Sequence, residues 1–292
     1  MSTRGWITPA ARTGEQPLAG GRVLGWAEWG PRDGTPVLFS PGAATSRDLG
    51  FGPDAVAALG VRLIALDRPG LGASTPAPGR TFADFAEDVR EFAARRGLGR
   101  PAMVGNSQGA PFALACAAAQ GVVGALAVVS GADEIAHPAF AAGLPEGLAR
   151  LVRLSAEDPD AAEKEFAGFT PQAMWDMVTA HSPARDLAVY QEPGFAVAYR
   201  AAMERAFARG PEGYARDTVL AMGRWEIDLA DIDVPVDLWY GDEDTSHSPD
   251  QGVTLTGRVP GAVHHLVPGA GGALLWTHAG DVLRVLLERH AA

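Results

Sequence analysis

Apolar positions along the chain fall into short runs broken by Gly, Pro and Asp, and the runs alternate between two periods. Val23–Trp29 and Val37–Ser40 have strand-like patterns on either side of the turn Gly30-Pro31-Arg32-Asp33-Gly34. Val61–Leu66 is a third such run, bounded by Asp67-Arg68-Pro69-Gly70. Phe82, Phe85, Ala86, Val89, Phe92 and Ala93 then recur at helical spacing, which predicts a helix capped by Thr81 and stopped at Arg95-Arg96-Gly97. A strand over 102–105, a helix over 108–119 and a strand over 125–130 follow. Later, 236–240 and 262–267 are strand-like, and 282–289 is a final amphipathic helix.

Strands alternating with helices imply a mainly parallel sheet covered on both faces. Between Asp133 and Asp233 the pattern changes to Ala, Glu, Met and Phe interrupted by Pro138, Pro145, Pro159, Pro171, Pro183, Pro193 and Pro211. Roughly five or six short helices fit this stretch. The expected organisation is an α/β core over 1–132 and 233–292, with a helical cap over 133–232 inserted after the sixth strand.

The main chemical signal is Gly105-Asn106-Ser107-Gln108-Gly109, a G-x-S-x-G pattern between a predicted strand and a predicted helix. A sharp strand-to-helix turn strains the backbone at the serine, and the flanking glycines remove side chains that would collide. The hydroxyl of Ser107 then stands at the carboxyl end of the sheet, beside a helix N-terminus that favours developing negative charge.

Further motifs follow the same order as in a known superfamily. Asp67-Arg68-Pro69-Gly70-Leu71-Gly72-Ala73-Ser74 resembles the D-R-P-G-x-G-x-S loop of the α/β-hydrolase superfamily, and Phe39-Ser40-Pro41-Gly42-Ala43 sits where members carry a His-Gly-x oxyanion-hole turn. Ile232-Asp233-Val234-Pro235-Val236 followed by Gly241-Asp242-Glu243-Asp244 is similar to the segment whose last aspartate is the triad acid. Val259-Pro260-Gly261-Ala262 and Leu266-Val267-Pro268-Gly269-Ala270-Gly271 resemble the run into the last strand. The resemblance covers nearly the whole chain and is closest to the capped, proline-iminopeptidase-like and esterase-like branch. It implies an α/β-hydrolase fold with a mostly parallel eight-stranded sheet flanked by helices. It also implies Ser107 as nucleophile, Asp244 as acid, and the N–H groups of Ala43 and Gln108 as the oxyanion hole. Asp242, Glu243 and, more weakly, Asp133 are alternatives for the acid.

The pattern breaks at the base. The superfamily's histidine follows the last strand in a run like P-G-x-G-H, whereas this chain reads Pro268-Gly269-Ala270-Gly271-Gly272. Pro41 also replaces the histidine of the oxyanion turn. A serine without a base in reach is a poor nucleophile. Two histidines could substitute: His247, three residues after Asp244 on a loop facing the expected centre, and His278, six residues past Gly272. His264 and His265 alternate across a strand and read as structural, His137 at the start of the cap either enters the cleft from above or is exposed, and His181 and His290 read as solvated helix or terminal residues. No histidine or cysteine pair has metal-ligand spacing and no phosphate-binding loop is present, so neither metal nor cofactor is expected. Met174, Trp175 and Met177 are the expected lining of an apolar cleft under the cap.

Composition narrows the classes. A 292-residue chain that is 47% hydrophobic can bury a full core, and its one cysteine, Cys116, excludes a disulfide framework. With 24 basic and 35 acidic residues the net charge is −11, which disfavours a nucleic-acid partner. Neither a membrane span nor an apolar leader stands out, so a cytoplasmic monomer or homodimer acting on a small molecule is expected. Lys164 is the one lysine among the basic residues, which suggests a GC-rich bacterial origin.

Three functions compete. The leading expectation is an enzyme of secondary metabolism that has lost the triad histidine and uses Ser107 and the oxyanion N–H groups for elimination, cyclisation or rearrangement of a small or medium, largely apolar carbonyl compound. The second is an ester, lactone or amide hydrolase with a relocated base, His247 or His278. The third is a ligand-binding pseudoenzyme.

Overall fold

The computed structural model describes residues 5–291, without the side chain of His181. Three strands come first: β1 (Arg12–Pro17), β2 (Val23–Trp29) and β3 (Thr35–Ser40). Helix and strand then alternate through α1 (Pro53–Ala58), β4 (Val61–Leu66), α2 (Phe82–Arg95), β5 (Ala102–Ser107), α3 (Gly109–Ala118) and β6 (Ala125–Gly131). Six helices precede the next strand: α4 (Glu146–Glu157), α5 (Pro159–Phe166), α6 (Pro171–His181), α7 (Ala184–Tyr190), α8 (Pro193–Ala206) and α9 (Glu212–Met222). The remainder is β7 (Val236–Gly241), α10 (Val253–Arg258), β8 (Val263–Val267), α11 (Leu274–Thr277) and α12 (Ala279–Ala291).

The eight strands form one sheet in the order β1-β2-β4-β3-β5-β6-β7-β8. β1 and β2 are antiparallel to their neighbours, and the strands from β4 to β8 pair in parallel. β2 and β3 flank the Gly30–Gly34 turn but do not pair, because β4 lies between them. β1 escapes the hydrophobic pattern because Arg-Thr-Gly-Glu-Gln-Pro offers no apolar alternation. It is held by the backbone ladder to β2 and by Arg12, which pairs with Glu28 at 2.9 Å.

Parallel strands buried on both faces need apolar side chains on both. Leu38 and Phe39 are adjacent on β3 and point to opposite sides. Leu38 belongs to one core with Phe85, Phe92 and Phe112 from α2 and α3. Phe39 packs with Trp276, Leu283 and Leu286 on the other side, and this second core runs on into Phe195, Tyr199 and Met203 of α8. Cys116 is fully buried in α3 and its thiol is raised by burial, consistent with packing and not with nucleophilic chemistry. The α2 cap forms as expected: Thr81 accepts from the Asp84 N–H at 3.2 Å, and Asp84 accepts from the Thr81 N–H at 2.8 Å.

All parallel strands end on the same side, which brings the residues after β3, β5, β7 and β8 together. Among the described residues, no helix is long and apolar enough to cross a membrane.

Glu28 is the electrostatic centre of the antiparallel edge. It is 1% exposed and faces Arg12, Arg62 and Arg96, from β1, β4 and the end of α2. Glu28→Gln leaves three guanidinium groups around a neutral amide. A loss of roughly 3 kcal/mol is expected, measured by urea unfolding; a change within experimental error would contradict it.

Candidate active site

The elbow takes the strained form its sequence implies. Ser107 has φ +50°, in the left-handed region that a residue with a Cβ rarely occupies, at a cost of about 1–3 kcal/mol. Close packing maintains it. A Cβ on Gly105 would lie 2.7 Å from the Ala113 Cβ, and one on Gly109 would lie 2.1 Å from the Ser40 carbonyl oxygen. The two glycines therefore let α3 start directly against the end of β5 and the turn after β3.

That turn, Pro41-Gly42-Ala43, lies over the serine. A Cβ on Gly42 would stand 3.2 Å from the Ser107 Cβ and 3.6 Å from its Oγ, so bare backbone covers the hydroxyl. Among the described residues, no acceptor takes the N–H of Ala43 or of Gln108. The Gln108 side chain is engaged elsewhere, donating to Thr218 Oγ1 at 3.1 Å. The turn is clamped from behind by Arg68, whose side chain is fully buried. Its guanidinium donates to the carbonyls of Pro41 and Gly42, the latter at 3.1 Å, and its Nε donates to Asp217 of α9 at 2.6 Å. Asp217 also takes Arg80. The D-R-P-G motif was legible in the sequence, but the task of its arginine was not, because both partners are distant along the chain.

The loop after β7 carries Asp244, 1% exposed, and His247. The His247 Nδ1 lies 2.9 Å and 3.0 Å from the two carboxylate oxygens of Asp244. Asp244 also accepts from the Ser246 N–H at 3.1 Å and the His247 N–H at 3.3 Å. With Nδ1–H donated to the carboxylate, Nε2 keeps its lone pair. Opposite the ring lies Gly272. A Cβ built there would fall 2.7 Å from His247 Cε1 and 3.0 Å from Nδ1. The imidazole thus fills the space that a side chain at 272 would need.

Ser107, His247, Gly272, Gly42 and Ala43 line one cavity of about 700 Å³. Its walls are mainly apolar and come from the sheet and from α6, α7 and α8. Met174 and Met177 lie on the lining. Trp175, expected beside them, does not: it packs edge-on to Tyr199 with Arg200 over its ring. Phe39, Tyr190, Tyr199 and Trp276 supply aromatic wall, the last three brought into mutual contact from three separate helices.

A family model for the alpha/beta hydrolase fold matches residues 35–279. The chain belongs to that family. Among solved structures it is similar to an enol-lactonase from Burkholderia xenovorans LB400, with TM-score 0.68, 19% identity, and 96% of this chain and 100% of that one covered. It is similar to the esterase RhEst1 from Rhodococcus sp. ECU1013, with TM-score 0.64, 21% identity and coverage of 94% and 98%. A bromoperoxidase from Bacillus anthracis aligns at TM-score 0.65 and 18% identity over 95% and 100%. At these identities the likeness is one of fold. No curated protein matches by sequence.

His278 stands between α11 and α12, within 2.8 Å of Thr277 Oγ1, and does not line the cavity. His278, the other expected candidate for the base, is thus not brought to Ser107, whereas His247 lines the same cavity. Asp133 accepts from Ser248 Oγ at 2.9 Å and touches the His247 backbone, not its ring. His264 and His265 bond the Gln251 carbonyl and Asp237, and His137 takes the Ala139 N–H. Asp242 accepts the Gly269 N–H and Glu243 pairs with Arg185, so neither competes with Asp244 for the imidazole. The side chain of His181 lies outside the described residues. Among those residues no group of histidine, cysteine and carboxylate could hold a metal ion.

Burial works to lower the His247 pKa, but the charge and hydrogen bond of Asp244, with the charge of Asp186, raise it above its ordinary value. Burial likewise works to raise Asp244, but the imidazole and the hydrogen bonds from Ser246 bring it down to about 2. Stability from the pair is therefore fullest between the unfolded values of 3.8 and 6.5. It declines as pH falls through the folded Asp244 value and as pH rises through the folded His247 value. Long-range ¹H–¹⁵N spectra should show His247 titrating above the usual histidine range, with Asp244→Asn moving it down. An unmoved midpoint in the variant would contradict this account.

Proposed function

We propose that the chain is a serine hydrolase of neutral, largely apolar esters or lactones, with Ser107 as nucleophile, His247 as general base and Asp244 as the carboxylate that orients it. The single observation that carries this reading is the exchange of space at Gly272. The histidine is missing from the last-strand loop, and an imidazole held on Asp244 enters the same volume from the other side. This favours hydrolysis by a relocated base over chemistry that proceeds without one.

The steps follow from the geometry. Ser107 Oγ attacks the carbonyl carbon while His247 Nε2 takes its proton. The oxygen that becomes negative turns to the N–H groups of Ala43 and Gln108, held ready by Arg68 behind the turn. Collapse expels the alkoxide, which takes the proton from the imidazolium. In a lactone that alcohol stays tethered to the acyl group. Water, deprotonated by His247, then releases the acid. Asp244 stabilises the imidazolium in both halves of the cycle.

No Asp, Glu, Lys or Arg is among the described residues lining the cavity, so a charged substrate would enter without a partner. Phe39, Leu49, Leu148, Met174, Val178 and Trp276 suit an apolar acyl or ring system. The names of two structural neighbours, an enol-lactonase and an esterase, agree with this substrate class. The helices from α4 to α9 serve on this reading as the cap that covers it. The protein acts as a soluble enzyme on a small molecule, with no cofactor.

Fluorophosphonate labelling tests the assignment. Ser107 should label rapidly, Ser107→Ala should abolish labelling, and His247→Ala should slow it by on the order of 10⁴-fold. Undiminished labelling of His247→Ala would sink the relocated base. Gly272→His alone should reduce activity, because its Cβ meets the His247 ring. His247→Ala combined with Gly272→His should recover more activity than His247→Ala alone.

A further inference from the structure

The Gly271-Gly272-Ala273 turn, where the family's histidine is missing, is held by a residue from the inserted helices. Asp186 of α7 is 3% exposed and accepts the Gly272 N–H at 2.7 Å and the Ala273 N–H at 3.1 Å, one on each carboxylate oxygen. The turn is shaped to receive it. A Cβ on Gly271 would lie 2.5 Å from both Asp186 oxygens. A Cβ on Gly272 would lie 3.5 Å from Asp186 Oδ2 and 2.7 Å from His247 Cε1. The carboxylate and the imidazole therefore flank one small volume, emptied of side chains by two consecutive glycines.

We infer that Asp186 is a positioning residue for His247, tying the inserted helices to the turn against which the imidazole rests and adding a second negative charge beside it. This rests on the proposed role of His247. Through this contact, the helices that cover the substrate also set the base.

Other groups cannot supply the same effect. From its own loop His247 is faced by Asp244 and Ser246, and from the elbow by Ser107 across the cavity. From α7 it is faced by Asp186, and Tyr190 lines the same cavity one turn further on with its hydroxyl raised by burial. The cation next to Asp186 in sequence, Arg185, is turned outward to Glu243. Asp133 approaches only the His247 carbonyl, through its backbone N–H. Burial, with the charge of Asp244, holds Asp186 above its ordinary value, although the two N–H bonds and the nearby imidazole oppose this.

The test uses the full chain with Asp186→Asn and Gly271→Ala. Asp186→Asn is close to isosteric but removes the charge. Gly271→Ala keeps the charge and pushes the carboxylate off the turn. Three quantities are read: the His247 midpoint by NMR, the pH dependence of fluorophosphonate labelling at Ser107, and the melting temperature. Asp186→Asn is expected to lower the His247 midpoint and the acid limb of labelling together, and both variants to slow labelling about tenfold or more on the plateau above the midpoint, where His247 is neutral in every protein compared. An Asp186→Asn protein that melts earlier but keeps the wild-type midpoint and labelling rate would reduce Asp186 to a structural tie and overturn the inference. Failure of the parent reading has a different signature: His247→Ala labels as fast as wild type.

Discussion

The arrangement of the site depends on a backbone approach that no side chain could survive. Gly109 places the first turn of α3 against the carbonyls of Ser40 and Pro41, and Gly105 admits Ala113 behind β5. Between them Ser107 is held at φ +50°. A left-handed serine is unfavourable by itself, so it persists only because the surrounding packing allows no alternative. The same contact brings Gly42 over the hydroxyl. Ser107 and the Pro41-Gly42-Ala43 turn are thus one packed unit, assembled from two parallel strands that end side by side.

Around that unit, long-range polar contacts connect the sheet to the inserted helices at two points. Arg68 grips the carbonyls of the oxyanion turn on one side and Asp217 of α9 on the other, with all groups buried. Asp186 of α7 grips the turn at Gly272. A buried charge with fewer partners would be strongly unfavourable, so each carboxylate fixes the helix that carries it. On the proposed reading, one contact steadies the oxyanion hole and the other steadies the base. The cover over the cavity is then part of the catalytic apparatus and not only a wall.

On the proposed reading, a base carried on the loop after β7 is held differently from one on the loop after β8. In this chain acid and imidazole lie three residues apart on one loop, so their contact is local and is closed by further bonds from Ser246 and the His247 N–H. The exchange requires an empty site on the opposite loop, which Gly272 provides. A histidine at both positions would require the His247 ring to move, since a Cβ at 272 would lie 2.7 Å from its Cε1. The absence of a side chain at 272 and the presence of the imidazole at 247 are complementary features of one packing solution.

Much of the fold was legible in the residues themselves. Period and punctuation marked seven strands, the capped α2 and the helix-rich insertion, because burial on two faces or one stripe leaves a regular trace. β1 left none, since a polar edge strand is held by its ladder. The elbow was readable because its glycines obey a local steric rule. Gly272 was readable as a gap, and His247 as one of two candidates to fill it. Only the tertiary structure separates them, since His247 lies in the cavity on Asp244 while His278 does not line it. The same holds for Arg68 and Asp186, whose partners lie far away in sequence. Local sequence determines which backbone a segment can adopt, whereas which side chain occupies a shared space is decided by segments that meet only on folding.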